Sequence, residues 1–140
     1  MNIIKEKHKN AFMKTAKLFA ECSTAERLKV GCIAVKDNKI ISIAYNGSPN
    51  GWSNVCEDEN GNTKPEVLHA ETNMIAKLAK TGGGAENSIV FITHSPCMEC
   101  SKLLYQSGVS IVYYETEYRN TDGIEFLQKA GIEIIKYISH

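Results

Sequence analysis

Apolar residues first recur at helical spacing at Ala11, Phe12, Ala16, Phe19 and Ala20, with lysines between them. That period predicts an amphipathic helix over roughly residues 5–22. The pattern then changes to short runs. Val30-Gly31-Cys32-Ile33-Ala34-Val35 and Ile40-Ile41-Ser42-Ile43-Ala44-Tyr45 flank Asp37-Asn38, an arrangement that predicts a β-hairpin. Residues 46–64 break the apolar pattern with Asn, Gly, Ser, Asp and Glu around Pro49 and Trp52. Such a stretch predicts a long loop, and long loops within compact chains are often functional. A second helix is expected to run to about Lys80 and to stop at Gly82-Gly83-Gly84, because glycine takes the left-handed conformation past a last turn without steric cost. Strand and helix patterns then alternate over 89–93, 97–106, 109–114, 121–130 and 132–138. A hairpin followed by βαβ units predicts one α/β domain over residues 1–140, a sheet layered with helices.

Composition narrows the function classes. At 140 residues, 43% hydrophobic and 23% charged, the chain has an ordinary soluble composition and enough length for a core without staples. Its 16 basic and 16 acidic residues cancel, so no broad basic face invites a polynucleotide or an anionic membrane. A small substrate suits this balance, with any phosphate met by one or two local cations. The N-terminal MNIIKEKHKN lacks a signal-peptide pattern, and no run reaches membrane-spanning length; a cytoplasmic location is expected. Five cysteines, an odd number, fit a reducing compartment. Cys32, inside an apolar run, reads as a small buried hydrophobe.

The chemistry lies in His69-Ala70-Glu71 and Pro96-Cys97-Met98-Glu99-Cys100. One imidazole and two thiolates make three zinc ligands, leaving the fourth tetrahedral position for water, as in a catalytic site. H-x-E…P-C-x-x-C is the pattern of the zinc nucleobase deaminases. His69, Cys97 and Cys100 are therefore expected to hold one catalytic zinc, and Glu71 to carry protons. A C-x-x-C alone would also fit a redox pair or half of a structural zinc knot. A redox pair has no need of His-x-Glu, and a structural zinc wants a fourth ligand, for which Cys56 is the candidate. Ser95-Pro96 reads as an N-cap followed by proline at the first helical position, putting both thiolates in an opening turn where the helix dipole favours negative charge. His69 and Glu71 point to different sides of a regular helix, so they converge on one metal only at a helix mouth. Thr63-Lys64-Pro65-Glu66 resembles a capping box but would start the helix too early for that, and the helix is expected to begin near His69.

Four blocks follow in order: Lys29-Val30-Gly31, Ala44-Tyr45-Asn46-Gly47-Ser48-Pro49-Asn50-Gly51, His69-Ala70-Glu71-Thr72-Asn73 and Thr93-His94-Ser95-Pro96-Cys97, with Ala130-Gly131-Ile132-Glu133 near the end. Over about residues 8–138 the chain resembles the deoxycytidylate (dCMP) deaminase family, its phage forms in particular, among the zinc-dependent cytidine/deoxycytidylate deaminases. The block from Tyr45 to Gly51 is the specific part, since the zinc motif is common to the whole superfamily. The resemblance implies a cytidine deaminase-like fold: a three-layer α-β-α sandwich on a five-stranded mixed sheet whose first two strands are antiparallel. It implies hydrolysis of dCMP to dUMP and ammonia by a zinc-bound hydroxide, with Glu71 as proton shuttle. It further implies a homo-oligomer, typically a hexamer, activated by dCTP and inhibited by dTTP. Asn46 is then expected at the sugar and base, and Tyr45, Asn46 and Gly47 on the nucleotide-binding and regulatory surface. Ala44 stands where the family usually has glycine. Cys22 and Cys56 match positions that hold a second, structural zinc in some phage relatives. The insertion carrying that site's histidines is missing and Glu57-Asp58-Glu59 follows Cys56, so free thiols and a single zinc per subunit are expected.

Main-chain groups of Ala70 and Ser95 are expected to meet the pyrimidine edge. Arginine suits a phosphate through its planar fork, which makes Arg27 and Arg119 the substrate-binding candidates, with Lys29 behind them. His94 either lines the pocket or packs as a neutral histidine, and Tyr114 or Tyr118 either contacts the nucleotide or belongs to the core or an interface. Other readings stay open at this point: a tRNA adenosine, free cytidine or guanine deaminase, or a non-catalytic zinc-containing nucleotide-binding module with its fourth coordination site filled.

Overall fold

In the computed structural model, which describes residues 4–140, the hairpin turns at Asp37 and Asn38. Their φ values of 51° and 61° are the left-handed pair that a two-residue type I′ turn requires. Met1 to Ile3, the beginning of the stretch read for a signal peptide, lie outside the described residues. β1 (Gly31–Lys36) and β2 (Lys39–Tyr45) pair antiparallel on either side of the turn. β3 (Ile89–His94) pairs antiparallel with the other edge of β1. β4 (Ile111–Thr116) and β5 (Glu133–Lys136) then add in parallel. The order β2-β1-β3-β4-β5 is a five-stranded mixed sheet with its first two strands antiparallel, as expected.

Four helices cover it: α1 (Glu6–Ala20), α2 (Ala70–Thr81), α3 (Met98–Gln106) and α4 (Asp122–Lys129). Side chains alternate across a strand with a period of two, and here both faces are apolar. Ile33, Val35, Ile89, Phe91 and Tyr113 face α1 through Met13 and Ala16. Cys32, Ala34, Val90, Ile92, Val112 and Tyr114 face the other layer, meeting Met74 and Leu78 of α2, Leu104 of α3, and Ile124 and Leu127 of α4. The result is an α-β-α sandwich, and burial on both faces explains why β1 and β3 read as unbroken apolar runs. No helix among the described residues is long and apolar enough to cross a membrane.

The two helix starts decide where the chemistry sits. α2 begins at Ala70 with His69 as its N-cap, so the capping-box-like Thr63-Lys64-Pro65-Glu66 opens no helix. Its C-cap, Gly82, is left-handed at φ 83°, the predicted stop. α3 begins later than predicted. Its N-cap is Cys97, in extended conformation at φ −72° and ψ 173°, so the reading of Ser95 as N-cap and Pro96 as first helical residue is corrected. Ser95 is committed elsewhere: its N–H donates to the Thr116 carbonyl at 2.8 Å and its Oγ accepts the Tyr118 N–H at 2.9 Å. Those bonds hold it as an extension of β3 beside β4, and the first α-helical bond runs instead from the Ser101 N–H to the Cys97 carbonyl at 2.9 Å.

α1 lies so close to β1 that a Cβ built on Gly31 would come within 1.9 Å of the Ala16 carbonyl oxygen and 2.7 Å of the Ala20 nitrogen. Both neighbours are backbone, which cannot rotate away. Gly31→Ala is therefore expected to destabilise the fold by about 3 kcal/mol or more through overpacking, read as a lower urea midpoint at unchanged m-value; an unchanged midpoint would mean that α1 is not seated on this strand.

Candidate active site

The mouths of α2 and α3 open beside the carboxyl ends of β2, β3 and β4, the place where open α/β sheets bind ligands. His69 stands outside the first turn of α2, with extended φ −69° and ψ 156°, while Glu71 sits within it. This is how two residues that would diverge on a regular helix come to serve one site. The His69 Nδ1 lies 3.3 Å from the Cys100 Sγ and 3.6 Å from the Cys97 Sγ. All three candidate ligand atoms fall within 4.8 Å of one another. Zn–N of about 2.0 Å and Zn–S of about 2.3 Å at tetrahedral angles would separate N from S by roughly 3.5 Å, so the spacing of the group fits zinc. Cys56 lies outside this group: its Sγ is 3.5 Å from the Thr24 Oγ1. Cys22 is exposed.

The electrostatics of the three donors suit a cation. The Cys100 thiol and the His69 ring, both within hydrogen-bonding distance, hold Cys97 down to about 3. The Cys97 sulfur raises Cys100, with burial adding to it, and its bond to His69 raises the imidazole. Negative charge is thus stabilised at an opening helix turn by shared protons, which a bound metal displaces. The Thr72 Oγ1 lies 3.6 Å from the Cys100 Sγ and supports that ligand from outside. Thr72 follows His69 by three positions, but its residue type alone assigns it no role.

Glu71 is 4% exposed. Burial pushes its carboxyl up to about 7, against the opposing pull of neighbouring hydrogen bonds and His69. A carboxyl titrating near neutrality can both take and give a proton at working pH.

Beside the group opens a cavity of about 570 Å³, within the range of small-ligand sites. It is lined beside the candidate ligands by His69, Ala70, Glu71 and Cys97, and further by Arg27, Asn46, Glu57, His94, Tyr118, Arg119 and Asn120. Neither Arg27 nor Arg119 takes part in the two ion pairs found among the described residues. His94 is half-buried with its ring 5.4 Å from that of Tyr118, and burial lowers its pKa against the opposing charge of Glu115. Tyr114 is instead buried in the core under α2, α3 and α4, and Lys29 is exposed and does not line the cavity, although Leu28 and Val30 on either side of it do.

Asn46 reaches the cavity, but its amide is already engaged: Oδ1 accepts the Val30 N–H at 2.9 Å and Nδ2 donates to the Leu28 carbonyl at 2.8 Å. It holds the lead-in to β1 against the end of β2. Tyr45 and Gly47 flank it outside the cavity lining; the Tyr45 carbonyl accepts the Asn73 amide at 3.2 Å, and Gly47 bridges Leu68. Ser95 lies behind the wall, tied to β4 and Tyr118 as described. Glu57 is the residue that sequence reasoning passed over. It read as one of an acidic run, and nothing local marks it as buried.

A family model, the cytidine and deoxycytidylate deaminase zinc-binding region, matches residues 6–116. The chain is 34% identical over 128 residues to ComE operon protein 2 of Bacillus subtilis, covering 88% of this chain and 67% of that protein. It is 32% identical over 139 residues to the deoxycytidylate deaminase of Schizosaccharomyces pombe, covering 91% of this chain but only 43% of that enzyme. Among solved structures, the dCMP deaminase of cyanophage S-TIM5, crystallised in complex with dCMP and dUMP, superposes with a TM-score of 0.94 at 48% identity, over 96% of this chain and 100% of that one.

α4 is seated directly on the turn that carries Cys97. A Cβ on Gly123 would meet the Pro96 carbonyl oxygen at 2.1 Å, the Ser101 Oγ at 2.6 Å and the Cys97 carbonyl carbon at 2.8 Å. Gly123→Ala must therefore displace either α4 or a ligand-bearing turn, and it is expected to speed zinc loss to a chromophoric chelator by about tenfold or more, the loss typical of disturbing a metal site's outer support. Zinc release at the wild-type rate would show that α4 does not hold the turn.

Proposed function

The chain belongs to the cytidine and deoxycytidylate deaminases with a zinc-binding region, and on that footing we propose that this deaminase acts on a deoxycytidine monophosphate, converting dCMP and water to dUMP and ammonia. One juxtaposition carries the reading: a cavity with a zinc-type donor set and a buried carboxyl at one end has two unpaired guanidinium groups, Arg27 and Arg119, on its walls. The 48% identity to a phage dCMP deaminase crystallised with dCMP and dUMP supports the same substrate.

His69 Nδ1 and the Cys97 and Cys100 thiolates would hold the metal. When bound, zinc supplies a water whose pKa falls to about 7, a nucleophile available at neutral pH. The remaining work belongs to the chain. Glu71, buried beside the ligands, takes the proton that the water gives up and delivers it to N3 of the cytosine, which makes C4 more electrophilic. It then takes the second proton, from the hydroxyl now on C4, and passes it to the departing amino group, so that the C4–N bond breaks, ammonia leaves and the C4 carbonyl of uracil forms. The Ala70 main chain is assigned to the pyrimidine edge, with only the carbonyl of Ser95 beside it because the Ser95 N–H is taken by Thr116, and Asn46 is assigned to the sugar side through the second hydrogen of its Nδ2, the first being bonded to Leu28. His94 and Tyr118, their rings tilted by 33° to one another, offer aromatic surface to a base. Arg27 and Arg119 take the phosphate. Activation by dCTP and inhibition by dTTP, with Tyr45, Asn46 and Gly47 on the regulatory surface, and assembly into a hexamer complete the reading. These rest on the resemblance in the block from Tyr45 to Gly51.

Glu71→Ala is expected to keep one zinc per chain while turnover of dCMP falls by about 10³-fold or more, since it removes both proton-transfer roles; zinc analysis and ammonia release measure the two halves, and an active variant would remove Glu71 from the mechanism. Ammonia release from dCMP, dCTP, deoxycytidine and CMP, each with and without added dCTP or dTTP, tests the substrate and the regulation. dCMP is expected to exceed deoxycytidine by roughly 10²-fold in kcat/KM, the loss of about two charge-assisted hydrogen bonds. Deoxycytidine turned over as well as dCMP would defeat the phosphate assignment.

A further inference from the structure

The segment between α1 and β1, residues 21–30, is irregular; the N–H groups of Glu21, Cys22 and Ser23 still bond the last turn of α1, and beyond them the segment is tied down through side chains. Most of those ties run to the loop at 46–69. The Ser23 Oγ donates to the Asn46 carbonyl at 2.8 Å and accepts the Ala25 N–H at 3.2 Å. The Thr24 Oγ1 donates to the Asn54 carbonyl at 2.5 Å. Glu57, 8% exposed, closes the series: its Oε2 accepts the N–H groups of Glu26 at 3.0 Å and Arg27 at 3.2 Å. Two consecutive amides on one carboxylate oxygen are charge-assisted bonds, stronger than neutral ones, and they fix the backbone from which the Arg27 side chain departs.

How Glu57 engages Arg27 matters. Both residues line the cavity, yet Glu57 does not appear in an ion pair among the described residues. A carboxylate bound to the guanidinium would compete with a ligand phosphate for the same fork. One bound to the main-chain N–H orients the residue and leaves the fork open. We infer that Glu57 is a positioning residue for phosphate recognition, holding the backbone of Arg27 so that its guanidinium faces the cavity; this rests on the assignment of Arg27 to the phosphate.

The test measures dissociation constants for dUMP and deoxyuridine, which differ only by the phosphate, and kcat and KM for dCMP. It uses the zinc-loaded wild type, Glu57→Ala, Glu57→Gln, Glu57→Asp, Arg27→Ala and the Glu57→Ala/Arg27→Ala double variant. Glu57→Ala is expected to weaken dUMP binding about tenfold, equivalent to one hydrogen-bonding pair, with deoxyuridine changed less than about twofold and the dCMP effect falling on KM rather than kcat. Glu57→Gln, which keeps a carbonyl acceptor at the same reach, recovers most of the loss. Glu57→Asp keeps the charge but withdraws it from the amides and behaves like the alanine variant, so a Glu57→Ala protein that fails to fold leaves the comparison intact. In the Arg27→Ala background the Glu57 effect disappears. Equal losses for dUMP and deoxyuridine, or costs that add in the double variant, would overturn the inference. If Arg27→Ala weakens dUMP selectively and Glu57→Ala does not, this inference alone fails; if Arg27→Ala has no selective effect, the phosphate assignment fails and takes the inference with it.

Discussion

Two extended residues at two helix mouths are the constraint on which the rest of the site depends. His69 and Cys97 each cap a helix without belonging to it, and only from that half-in position can their side chains turn toward a point that Glu71 and Cys100, inside the first turns, also reach. A helix one turn longer at either end would swing one ligand away. The sheet enforces the arrangement because β3 feeds α3 directly, while the loop after β2 feeds α2. The antiparallel insertion of β1 between β2 and β3 brings those two exits to the same edge.

The ligand turn is held from behind as well. Ser95 is pinned to β4 through Thr116 and Tyr118, which delays the start of α3 and places Cys97 at its cap. The buried backbone of Gly123 presses on Pro96 and Cys97 from the opposite side. The small side chain at Ser101 and the absent one at Gly123 are the condition for that contact. The Ser101 Oγ, buried without a hydrogen-bond partner, shows how tightly the contact is closed, since an unpaired buried hydroxyl costs stability on its own account.

Electrostatics divides the chain in a way its zero net charge conceals. Burial at the metal end raises Glu71 toward neutrality while the thiolate charge collects on Cys97. Arg27 and Arg119, which line the same cavity, stand without carboxylate partners among the described residues of a chain that has as many acids as bases. A binding site for a small anion needs no basic surface, only a few cations left unpaired in one concavity.

Much of this was legible in the sequence because it is local. The hairpin turn at Asp37-Asn38, the glycine stop at Gly82, the apolar runs of buried strands and the spacing of His69, Glu71, Cys97 and Cys100 all follow from periods and preferences within a few residues. The start of α2 at His69 was also legible, because the metal chemistry rules out the competing capping box. What only the tertiary structure decided depends on partners distant along the chain. The strand order put β1 between β2 and β3, Thr116 and Tyr118 took Ser95 out of α3, and Gly123 closed over the ligand turn. Glu57 became a buried acceptor for Glu26 and Arg27, and Asn46 spent its amide on Leu28 and Val30. A side chain's hydrogen bonds go to whichever backbone group the fold leaves without a partner, and that group is set by packing between elements rather than by neighbours in sequence.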